Sequence, residues 1–183
     1  MTDDVHHRPF SRPKSIAALA PKGTEATIEA TAAEREALAR DLDILGIDEL
    51  RATFKITPWR KTGLKLKGTV SGRVRQACVV TLEPVPETVE EDVELTFLPA
   101  GEIGPVGDEI EIDPDADDPP EPLEGNTIDL GAVAAEHLAL GLDPYPRAPG
   151  VAFDALIEDD GRDDVAPSPF AALQRLKGQG EAD

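Results

Sequence analysis

A chain of 183 residues with 18 Lys or Arg against 37 Asp or Glu has a net charge of −19, and its 40% hydrophobic content suits one globular domain with tails. The lone cysteine excludes a disulfide framework and a cysteine-rich zinc site, and no apolar run approaches the ~20 residues of a membrane span. The polar N-terminus lacks a secretory signal's apolar stretch, giving a cytoplasmic expectation, while five Phe, one Trp and one Tyr are too few for platforms that stack single-stranded RNA.

Residues 1–23 are expected to form a flexible N-terminal segment, with His6 and His7 solvated. Ala26, Ile28 and Ala30 alternate through 24–30, which predicts a strand. Thr31-Ala32-Ala33-Glu34 has the form of a capping box. A helix should follow to about Leu45, with Leu38, Leu42 and Leu45 at helical spacing and Gly46 as its stop. Residues 51–57 alternate strictly, placing Ala52, Phe54 and Ile56 on one face. After a connector at 58–63, residues 64–75 alternate again, with Gly68 and Gly72 on the inward face, where a twist or bulge is expected. The two segments are predicted to pair antiparallel with one wet face. A further strand is expected at 88–98 through Val89, Val93, Leu95 and Phe97, with Glu91 breaking the pattern.

Residues 100–126 are rich in Pro, Gly and acids, and are predicted to be a long disordered insertion in the domain spanning 24–142. Asp113, Asp115 and Asp117 have the spacing of an EF-hand loop, with Glu124 at its twelfth place. Asp118 stands where the loop needs Gly and prolines crowd the rest, so no metal site is expected. A second helix is predicted at 129–141, capped by Asp129, with Leu130, Val133, Ala134, His137 and Leu138 on one face. Residues 143–183 are expected to be a flexible Pro- and acid-rich arm. It ends in a short helix at 169–177 that presents Phe170, Leu173 and Leu176 for protein docking.

Charge is segregated along the chain. Residues 51–76 hold eight Lys or Arg and no acid, whereas 77–146 hold 19 acids and neither Lys nor Arg. Three readings fit the basic block: a solvated sheet face balanced by the acidic strand at 88–98, a surface for phosphates, or a surface for a protein. If it contacts RNA, Arg51, Lys55, Lys65, Lys67, Arg73 and Arg75 are the candidate residues, and the contacts should be salt-sensitive. Catalytic signals are weak. Cys78 lacks a recognisable partner and no phosphate-binding glycine loop is present. No catalytic residue, metal or cofactor is expected, and the chain is predicted not to be an enzyme.

QACVVTLEPV at 76–85 and VELTFLP at 93–99 resemble the YceD family, the large ribosomal RNA subunit accumulation proteins. IDLGAVAAEHLALGLDPYPRAPG at 128–150 and SPFAALQRLK at 168–177 resemble the C-terminal part of that family's alphaproteobacterial members. The resemblance implies a bacterial cytoplasmic protein that supports large-subunit ribosomal RNA accumulation, with no catalytic residue to carry over. Many members have C-x-x-C where this chain has Cys78 followed by Thr81, so chemistry through a cysteine pair is excluded here. Cys78, Leu82, Glu83, Pro84, Asp129 and Pro144 match the family without an assigned role.

The resulting expectation is an α+β fold: an antiparallel sheet of four or more strands with two main helices, a long acidic insertion and a flexible C-terminal arm. The expected function is a non-enzymatic factor in ribosome assembly that contacts precursor large-subunit RNA through the basic face. The alternative is an acidic adaptor or chaperone for a basic ribosomal protein.

Overall fold

Alternation of apolar and polar residues over three segments dictates the centre of the fold. The computed structural model describes residues 8–17, 19–103, 118–123 and 125–151. Its elements in chain order are β1 (Pro13–Ser15), β2 (Thr24–Glu29), α1 (Ala32–Asp41), β3 (Gly46–Trp59), β4 (Gly63–Ala77), β5 (Pro84–Pro99), β6 (Glu121–Leu123), β7 (Thr127–Asp129) and α2 (Leu130–Leu140), with a 3-10 turn at Ala100–Glu102. The main sheet has the order β2-β3-β4-β5-β6; its first four strands are antiparallel and β6 runs parallel to β5. β1 and β7 form a separate antiparallel pair. The architecture is α+β, as expected.

Each strand puts its apolar set on one face because side chains alternate. Phe54 and Ile56 of β3, Leu64, Leu66, Val70 and Val74 of β4, and Val89 and Val93 of β5 are buried there. α1 covers β3 with Leu38 and Ala39, and α2 covers β4 and β5 with Leu130, Ala134 and Leu138. The inward glycines make room instead of bulging. A Cβ on Gly72 would lie 2.6 Å from Leu138 Cδ1, and one on Gly68 would strike the Thr53 carbonyl and the Phe54 ring. The register irregularity lies on β3, between Ile47 and Glu49.

Several boundaries differ from expectation. α1 ends at Asp41, before Leu45 and Gly46. Asp43 adopts φ 53°, and the Asp43 and Ile44 N–H groups donate to the Arg40 and Ala39 carbonyls. This is a Schellman ending built on Asp, where glycine is the usual residue; Gly46 instead opens β3. β3 continues through Pro58 and Trp59, because beyond Ile56 it has no β2 partner and the missing proline N–H breaks no ladder.

Part of the segment expected to be flexible at 1–23 belongs to the fold among the described residues. Phe10 is 1% exposed and β1 pairs with β7. Within the expected insertion at 100–126, Ala100–Glu102 forms a turn and β6 joins the sheet. The helix expected at 169–177 lies outside the described residues.

Candidate interaction surface

The outer sheet face is laid out by register. Across β2, β3, β4 and β5, one row reads Glu25, Lys55, Lys67, Glu94, the next Thr27, Thr53, Thr69, Asp92, and the next Glu29, Arg51, Ser71, Glu90. Glu49 faces Arg73 beyond these. The six candidate cations therefore share one face, as alternation requires, but columns of carboxylates on β2 and β5 flank them.

Contacts follow the rows. Arg51 Nη1 lies 3.6 Å from Glu29, Lys65 and Lys67 reach Glu94 at 2.5 and 2.6 Å, Arg75 reaches Asp48 at 3.2 Å, and Arg73 pairs with Glu49. The Lys65 and Lys67 ammonium groups hold the Glu94 carboxyl below its ordinary pKa. Lys55 alone of the six has no ion pair among the described residues; it stands between Glu25 and Lys67. Exposed pairs add only about 0–1 kcal/mol each to stability. Their effect on recognition is larger, since opposite charges closer than the ~8 Å screening length present little net field to a polyanion.

At the hairpin tip, Trp59 and Arg60 extend beyond the stripe; Arg60 adopts φ 52° and its guanidinium stacks 4.2 Å from the Trp59 ring. Neither Arg60 nor Lys61 has a carboxylate partner among the described residues. The sequence signal for this tip was available in Trp-Arg-Lys, but the alternation pattern stopped at Thr57, short of it.

A second region surrounds Cys78. The thiol is buried, and the Leu82 and Cys78 N–H groups close the 78–83 turn on the Cys78 and Glu83 carbonyls. Val79 N–H donates to Pro146 O, and Ala148 N–H donates to Cys78 Sγ at 3.4 Å. The Thr81 hydroxyl, then the backbone N–H groups of Ala148, Thr81 and Val80, lower the Cys78 pKa to about 6. Thr81 thus serves as a hydrogen-bond donor to the thiol three residues before it. His137 is not among the groups acting on this thiol. Gln76, also buried, donates through Nε2 to the Asp143 carbonyl at 3.0 Å.

The N-terminal segment meets both helix starts. Arg12 grips Glu34 at 2.6 and 2.8 Å and its N–H donates to Asp129 at 2.7 Å. Burial pushes Asp129 up, but donation from Arg12, Ser11, Ala132 and Gly131 holds its carboxyl below the ordinary value. A cavity of about 620 Å³ beside it is lined by Phe10, Phe97, Glu121 and Glu136 among others. Burial and then the Glu136 charge raise the Glu121 pKa. Among the described residues no group of three or more His, Cys, Asp or Glu is placed to hold a metal, and no helix is long and apolar enough to cross a membrane. Phe170, Leu173 and Leu176 lie outside the described residues.

A family model described as "Large ribosomal RNA subunit accumulation protein YceD" matches residues 66–177, more than half of the chain. The match takes in most of β4, all of β5, the Cys78 turn and α2, and leaves out Arg51, Lys55 and Lys65. No curated protein and no solved structure matches the chain.

Proposed function

The chain belongs to the YceD family of large ribosomal RNA subunit accumulation proteins, and from that premise we propose that it works as a non-enzymatic adaptor holding a basic protein component of the large subunit, in the cytoplasm. The observation that carries this reading is the pairing of the basic stripe: five of the six candidate cations lie against carboxylates of the same face or the adjoining bulge. A phosphate-binding surface needs cations whose field reaches outward, and compensated cations bind phosphate weakly. The remaining charge favours a cationic partner, with 19 acids and no Lys or Arg over 77–146.

Direct contact of Arg51, Lys55, Lys65, Lys67, Arg73 and Arg75 with precursor RNA is the competing reading. The stacked Trp59–Arg60 tip is the feature that favours it. Replacing Lys55, Lys67, Arg73 and Arg75 by Gln separates the two. The adaptor reading expects large-subunit RNA to accumulate normally in cells carrying that variant as their only copy. A fall in large-subunit RNA, with the folded protein still present, contradicts it.

A further inference from the structure

Among the described residues, β5 is paired on one side only for most of its length. β4 pairs with it from Pro84 to Phe97, whereas β6 covers only Phe97, Leu98 and Pro99. No described strand lies beside Pro84–Thr96 on the other side. An unpaired edge presents a row of backbone N–H and C=O groups to any extended chain that reaches it. The opposite edge of the sheet is the six-residue β2, so β5 offers the longer template.

We infer that the free edge of β5 takes up an extended basic segment of the partner protein as an added strand. The inference rests on the adaptor reading and names the surface that reading uses. Pro84 and Pro86 lack N–H groups and blunt one end of the edge, leaving about ten residues, or roughly 33 Å at about 3.3 Å per residue. Along this stretch Glu90, Asp92 and Glu94 face outward and Glu87 and Glu91 face the helix side. Only Glu94 of the five holds a cation among the described residues. A second copy of this edge would set carboxylates against carboxylates, which opposes self-pairing. A strand with Lys or Arg at alternate positions meets Glu90, Asp92 and Glu94 on one face. Its small or apolar residues lie beside Val89, Val93 and Leu95 on the other. Backbone pairing supplies the contact, and the carboxylates select the sign of the partner.

The test uses the full chain and two synthetic peptides of about ten residues in which Lys alternates with Val. The second peptide carries N-methyl groups on the backbone amides of one edge, leaving its charge unchanged. The first peptide is expected to bind at physiological salt and to slow amide exchange within 87–96. The methylated peptide is expected to bind about tenfold more weakly or worse, the loss of a few backbone hydrogen bonds. Glu90→Lys with Asp92→Lys should abolish binding while circular dichroism stays unchanged. Equal binding of both peptides, absence of binding, or binding without protection of β5 overturns the inference. None of these results touches the adaptor reading itself, which is decided by whether a basic protein is retained in cells.

Discussion

Glu34 joins three parts of the chain through one carboxylate. It completes the capping box with Thr31, accepting from the Thr31 N–H at 2.8 Å, and takes a two-pronged grip from Arg12. The Arg12 hydrogen bonds, aided by Thr31 and opposed by partial burial, lower its pKa from 4.5 to about 2. A carboxyl whose folded pKa is depressed stabilises the fold above its unfolded pKa and loses that contribution as pH falls through the folded value. Glu34→Gln should therefore cost about 1–2 kcal/mol at neutral pH. The difference in melting temperature from the unmodified chain should shrink below pH 4.5 and vanish near pH 2. A pH-independent difference would assign the loss to packing. At Cys78, Thr81→Val removes the hydroxyl donor that contributes most to the lowered thiol pKa. The thiol pKa should then rise from about 6 toward the ordinary 9, followed by the Cβ chemical shift of Cys78 against pH.

At the scale of elements, what the sequence reveals depends on segment length. β3, β4 and β5 announce themselves through the alternation of 51–57, 64–75 and 88–98, although the strands themselves extend to 14, 15 and 16 residues. β1, β6 and β7 have three residues each, too few for a period, and they form because neighbouring strands and helices supply their partners. α1 was legible at its start, where Thr31 and Glu34 carry the capping chemistry, and not at its end, where Asp43 adopts a conformation its identity only weakly favours. Asp43→Gly should stabilise the chain by about 0.5–1 kcal/mol by removing the side chain's left-handed cost, read as a higher midpoint in denaturant. Gly72→Val should destabilise by about 1–3 kcal/mol, because the new side chain enters the space of Leu138, which packs over β4. The six stripe residues were legible as one face. Their carboxylate partners were only partly so, since Asp48, Glu29 and Glu49 come into range through strand pairing that the sequence does not write.

Over the whole molecule, charge of one sign is balanced on the sheet face and surplus elsewhere. Residues 104–117 alone hold six acids and no base. Balance on the face is a property of register, so removing the flanking carboxylate columns should unmask the cations between them. Replacing Glu25, Glu29, Glu90, Asp92 and Glu94 by Gln should turn the face into a salt-sensitive polyanion binder. Retention on heparin at low salt checks this; a variant that elutes with the unmodified protein would show that the stripe carries no masked affinity.

The claim that a basic protein is the partner is tested most directly by purifying the tagged chain from its own cells before and after ribonuclease treatment. The account predicts that one basic large-subunit protein stays bound after the RNA is digested. Loss of every ribosomal protein on digestion, together with crosslinks from precursor large-subunit RNA to β3 and β4, would contradict it and return the function to the basic stripe.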